Sequence, residues 1–117
     1  METFLRALVG SDFVIGWPTV FEVRIWCHRR LAEVKQPWLE AWFASETTQV
    51  AAFDGELEAL ASDAFARFGK GLHPAGLNFG DCMTYAVARK HKASLLFKGS
   101  DFARTDIAVH PASIVPA

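Results

Sequence analysis

The sequence predicts an α/β domain, a parallel sheet with helices on both faces. Three observations carry that expectation. Short apolar runs alternate with stretches of helical period, which is how βαβ units read. Residues 94–97 (SLLF) form a run of the kind found in strands buried on both faces. With 117 residues, 51% of them hydrophobic, the chain suffices for one core and hence one domain.

Taken in order, residues 2–9 read as the end of a helix stopped by Gly10, and residues 12–16 (DFVIG) as a short strand. Pro18 suits the first turn of a helix reaching about Leu31. Its apolar stripe is Val20, Val23, Cys27 and Leu31. Gln36-Pro37 opens a helix whose Trp38, Leu39, Trp42 and Phe43 are expected to pack a core, with part of that surface open to a partner. Residues 48–53 (TQVAAF) are the next strand.

Asp54 then N-caps the clearest helix, with Leu57, Leu60, Ala61, Ala64, Phe65 and Phe68 on its apolar face. Early Glu56 and Glu58 and late Arg67 suit its dipole, and Gly69 its C-cap. Residues 70–76 form a loop in which His73 reads as a surface histidine. The last helix points Phe79, Cys82, Met83, Ala86 and Val87 at the core, leaving Asp81 and Tyr85 toward its rim. Strand 94–97 follows, and Gly99 permits the sharp turn after it. Residues 107–109 read as an edge strand, the fourth of the sheet. The domain spans 1–109, and 110–117 (HPASIVPA) is expected to be a loose tail.

A net charge of −1 gives no overall signal for nucleic acid, so any RNA contact must be local. No run approaches the ~18 apolar residues of a membrane span, and the charged opening METFLRALVG is too short for a secretory signal. Cys27 and Cys82 lie far apart without a C-x-x-C pattern. They read as reduced core thiols, which points to the cytoplasm.

The chemistry concentrates in residues 77–106. Asp81 falls in the first turn of the last helix, and Asp101 and Asp106 follow the strand at 94–97. In open α/β sheets ligands bind outside the carboxyl ends of the strands. Carboxylates gathered there suit a hard divalent cation such as Mg²⁺ or Mn²⁺. The plainer reading is capping. Asn78 and Asp81 have the spacing of a capping box, and Asp101 or Asp106 could cap a turn.

LNFGDCMTYAVA followed by LLFKGSDFARTDI resembles the C-terminal half of PIN-domain proteins, and within them the VapC-type ribonuclease toxins of toxin–antitoxin pairs. The resemblance implies that Glu22, Asp81 and Asp101 are catalytic, and that with Asp106 they hold Mg²⁺ or Mn²⁺. It implies an RNA substrate, with Arg24, Arg29, Arg30, Lys98 and Arg104 as candidates for the RNA backbone. The partners it implies are a cognate antitoxin and a second copy in a homodimer, with no membrane. The family also places a central strand, bearing its first acid, ahead of the first helix. No matching segment precedes Gly10, so the expectation is a sheet lacking that strand and a site lacking that acid. Two functions stay open: an endoribonuclease toxin, either active or impaired by the missing strand, or a catalytically silent PIN-like binding module.

Overall fold

The computed structural model describes residues 11–30 and 36–115. The helix expected at residues 2–9 and the stripe position Leu31 lie outside the described residues. Strand β1 (Phe13–Gly16) leads directly into helix α1 (Trp17–Arg30), and helix α2 (Gln36–Phe43) precedes strand β2 (Thr48–Ala51). Helices α3 (Gly55–Phe68) and α4 (Phe79–Lys90) follow, and then a 3₁₀ turn over Phe102–Arg104.

β1 and β2 pair in parallel, with Phe13 opposite Thr48 and Gly16 opposite Ala51. Alternation of side chains across β1 divides the layers. Ile15 packs with Val20, Cys27, Leu39 and Phe43 from α1 and α2. Val14 packs the other way, on Leu57, Ala86 and Val87 from α3 and α4. Helices therefore cover both faces, as the alternation predicts. Each fully buried aliphatic side chain in these layers stabilises the fold by about 1.5–3 kcal/mol.

Local signals hold where the chemistry is local. Asp54 caps α3, accepting from the Leu57 N–H at 3.1 Å. Gly99 has φ 130°, the turn geometry expected after residues 94–97. Cys27 and Cys82 are buried and carry no disulfide. Leu39 and Phe43 are core residues, while Trp42 stacks at 5.8 Å on Phe13, so the α2 aromatics mostly pack inward. Of the large apolar groups in α2 only Trp38 is widely exposed.

Three expectations need correction. Residues 94–97 and 107–109 do not form strands of the β1–β2 sheet. They join each other through a single parallel bridge, Leu95 to Val109, with Leu95 N–H to Ala108 O at 2.8 Å. Between β1 and residues 93–96 lies a cavity of about 540 Å³, walled by Thr19, Val87, Ala88 and Leu95. The sheet of the described residues thus stops at β1.

Residues 110–115, expected to belong to a loose tail, are not loose either. Lys98 bridges Ile114, Ser113 Oγ donates to Leu95 O at 3.1 Å, and Ala112 is buried. Residues 95–99 offer it unpaired backbone groups, and those groups need partners.

The third correction is on α4. Tyr85 and Ala88 are buried, whereas Phe79 is 81% exposed. This helix is covered by α3 on one side and by β1 and α1 on the other. A single stripe is therefore the wrong template for its middle, and its first residue projects past the layers that cover the rest.

Candidate active site

α1 and α4 run past each other in opposite directions. Thr19 Oγ1 lies 3.0 Å from Thr84 Oγ1. Three residues further along each helix, Glu22 meets the first turn of α4 at Gly80 and Asp81. The sequence fixes the position of that turn. Asn78 Oδ1 accepts from the Asp81 N–H at 2.9 Å, and Asp81 Oδ2 accepts from the Asn78 N–H at 3.1 Å, a complete capping box.

Capping and site readings of Asp81 are therefore compatible. One oxygen caps, and the other makes no hydrogen bond among the described residues. Asp101 stands before the 3₁₀ turn but makes no side-chain cap bond. Among the described residues neither the Asp101 nor the Glu22 carboxylate has a hydrogen bond or an ion pair.

These three acids share an anionic field. Burial, then the charge of Asp81, pushes the Glu22 carboxyl above its ordinary range. Burial also raises Asp81, and the negative charge of Asp101 adds to that, against the lowering effect of the Asn78 N–H. Asp81 thus stands between Glu22 and Asp101. Even the Cys82 thiol, buried beside Asp81, is raised. No cation offsets this field among the described residues, nor do any three His, Cys, Asp or Glu side chains there stand close enough to enclose an ion as they are. The donor set itself, carboxylate oxygens that no described lysine or arginine neutralises, is the chemistry that hard divalent cations take.

Asp106 lies in a different environment. Tyr85 donates its hydroxyl to Oδ1, Arg67 donates to Oδ2 at 2.5 Å, and Arg89 pairs with Oδ1 at 2.8 Å. Burial would raise this carboxyl, but the Tyr85 and Arg67 hydrogen bonds and the two guanidinium charges hold it at about 2. The structure thus sets Asp106 in a cationic cluster, apart from the anionic field of the other three.

The candidate RNA contacts are dispersed. Arg24 pairs with Glu40 and stacks on Phe43, Arg30 lies 5.2 Å over the Trp26 ring, and Arg104 donates to Pro74 O at 3.3 Å. Arg29 and Lys98 are exposed and form no ion pair among the described residues. His73 shapes its loop, accepting from the Ala75 N–H at 3.0 Å with its ring edge-on to Phe68.

Sequence reasoning missed three features. Phe79, expected in the core, is an exposed aromatic at the first residue of α4, two positions before Asp81. Nothing in the helical period marked Gly80 as the residue under Glu22. The Tyr85–Arg67–Arg89 cluster joins residues far apart in sequence, and only the order of charges on α3 hinted at it.

The PIN domain profile matches residues 1–108. Ribonuclease VapC36 of Mycobacterium tuberculosis is 42% identical over 102 residues, 86% of this chain and 73% of the relative. Ribonuclease VapC of Mycolicibacterium smegmatis is 39% identical over 106 residues, 89% of this chain and 82% of the relative. Ribonuclease VapC30 of Mycobacterium tuberculosis is 41% identical over 105 residues, covering 88% and 80%.

Proposed function

This chain belongs to the PIN-domain family, and from that premise we propose that it is an endoribonuclease toxin, hydrolysing RNA phosphodiesters with Glu22, Asp81 and Asp101 as its acids. The observation that carries this reading is the anionic field around Asp81: two carboxyls raised above their ordinary range and a third acid adding its charge, with no lysine or arginine of the described residues lowering either raised carboxyl. A stable fold gains nothing from such a cluster by itself, since like charges oppose one another's ionisation. Acids brought together at one end of a helix, each raising its neighbour's carboxyl, are the kind of cluster a site uses.

The three carboxylates would hold Mg²⁺ or Mn²⁺, and a small rotation of flexible Glu22 would complete the set. The cation's part is to orient the phosphate, activate water and stabilise charge on the leaving oxygen. The chain's own residues do the positioning. The capping box fixes Asp81, and the Thr19–Thr84 contact fixes the crossing of α1 over α4. Asp106 supports the site indirectly, holding the loop after Asp101 against α3 and α4 through Arg67 and Arg89. Phe79 offers an open ring on which an unpaired base can stack. Arg29 and Lys98 are available for phosphates.

For the antitoxin or a second copy, the surface this structure favours is on α1. Trp17, Phe21 and Ile25 fall at i, i+4 and i+8 and are all exposed. A groove of about 420 Å³ runs from Phe21 and Ile25 to Leu39 of α2. No helix among the described residues is long and apolar enough to cross a membrane.

The test is cleavage of a structured RNA by the purified chain in Mg²⁺ or Mn²⁺, with Asp81→Ala prepared in parallel. Cation-dependent cleavage lost in Asp81→Ala is the expected result. Equal cleavage by both preparations would assign the activity to a contaminant. The alternative of a silent binding module draws on the acids' spacing, too wide to enclose an ion unaided. No cleavage by a chain that still co-purifies with an antitoxin would favour it.

A further inference from the structure

Gly80 is the second residue of α4, where alanine would be the better helix former. Its backbone does not require glycine, since only Gly71, Gly76 and Gly99 have positive φ among the described glycines. What distinguishes Gly80 is its neighbour. A Cβ added there would fall 2.9 Å from Glu22 Cδ and 3.0 Å from Glu22 Oε2, and closer still to Oε1. Real Cβ atoms do not approach this closely, and the three nearest atoms all belong to the one carboxylate.

We propose that Gly80 is a positioning residue for the active-site acids: its missing side chain lets the Glu22 carboxylate lie against the first turn of α4, beside Asp81. The inference rests on the reading of Glu22 as a cation-holding acid. The group in the way is the far end of a flexible side chain, so an alanine displaces the carboxylate and leaves the backbone where it is. Fold and site are thereby separable at this position. Gly55, the first residue of α3, provides the contrast, because a Cβ there meets nothing within 4 Å.

The test measures Mn²⁺ binding by calorimetry on the full chain, alongside melting temperature, for wild type, Gly80→Ala, Gly55→Ala, Glu22→Ala and the Gly80→Ala/Glu22→Ala double variant. Gly80→Ala is expected to melt no lower than wild type while binding Mn²⁺ about 10-fold or more weakly, the size of effect seen when groups that orient a ligand are lost. Gly55→Ala should bind as wild type does. The double variant should bind no worse than Glu22→Ala, because a residue acting through Glu22 has nothing left to act on.

Wild-type affinity in Gly80→Ala beside weakened Glu22→Ala would overturn the proposal and leave the acid site standing. So would losses that add in the double variant, or a Gly80→Ala chain melting well below wild type, which would make Gly80 a packing residue. Unchanged Mn²⁺ binding in Glu22→Ala would instead remove the reading of Glu22, and this inference with it.

Discussion

Two carboxylate environments meet α4 about one helical turn apart, and they are opposites. At Asp81 the neighbours are Glu22 and Asp101, and the carboxyl is raised. At Tyr85, four residues on, the neighbour is Asp106, held at about 2 by a tyrosine and two arginines. The second arrangement is how proteins ordinarily accommodate a carboxylate, with charge-assisted hydrogen bonds on both oxygens. The first leaves charge unbalanced among the described residues, and a bound cation is the partner that would balance it. The cost of the unbalanced cluster and the stability of the balanced one are both measurable.

The largest effect is expected from Asp81→Asn. Cleavage should fall by more than ~100-fold, since even groups that only orient a metal ligand cost 10–100-fold when lost. Folding stability should move the other way. A carboxyl raised in the native state binds its proton more tightly there than in the unfolded chain, so stability falls as pH rises out of the ordinary range near 3.8 through the raised native value. Asparagine removes that penalty and keeps the cap, because its Oδ1 can still accept from the Asn78 N–H. The metal-free variant should therefore melt at or above wild type at neutral pH, with the difference vanishing at pH values well below 3.8. A variant that melts lower at neutral pH would show that the anionic field costs the fold nothing.

Asp106→Asn should give the mirror image. Its native value of about 2 lies below the ordinary 3.8, so the carboxylate's stabilisation is complete above 3.8 and is lost as pH falls through about 2. The side chain is 40% exposed, and screening by solvent limits the effect to about 1 kcal/mol at neutral pH. Urea unfolding at pH 7 and again near pH 2 would check both size and sign. Cleavage should suffer less than in Asp81→Asn. A loss of cleavage equal to that of Asp81→Asn, without loss of stability, would place Asp106 among the cation-holding acids.

The first environment was legible in the sequence and the second was not, for a physical reason. The Asn78–Asp81 box and the Asp54 cap are made within four residues, so their spacing is their geometry. Asp101 and Glu22 were reached through a family pattern that fixes acids relative to helix and strand ends. Asp106 carried the same pattern, but its partners Arg67 and Tyr85 lie 39 and 21 residues away, and pairing at that range follows from the tertiary fold alone. Residues 94–97 misled for a similar reason. A short apolar run fits a strand and a bridge equally well, and among the described residues it pairs only with residues 108–114. Phe79 obeyed the helical period and still faces solvent, because a period says which side of a helix is apolar and not how far its cover extends.

The smallest effect should come from Tyr85→Phe, which probes how the balanced cluster shares its load. The hydroxyl donates to Asp106 Oδ1 and accepts from Arg89 Nη2 at 2.6 Å, so two hydrogen bonds are removed at once. Typical net values near 1 kcal/mol each would suggest a loss of about 2 kcal/mol. Two features of the structure reduce that figure. Arg89 already reaches Asp106 Oδ1 at 2.8 Å and needs no bridge, and Arg67 keeps the other oxygen occupied. The ring itself is unchanged and stays packed beside Phe68 at 6.0 Å. The expected loss is therefore about 0.5–1 kcal/mol, measured by urea unfolding at neutral pH, with the Asp106 carboxyl still well below its ordinary range by NMR titration. A return of Asp106 to about 3.8 in Tyr85→Phe would mean that the hydroxyl, and not the two guanidinium groups, dominates the balanced environment.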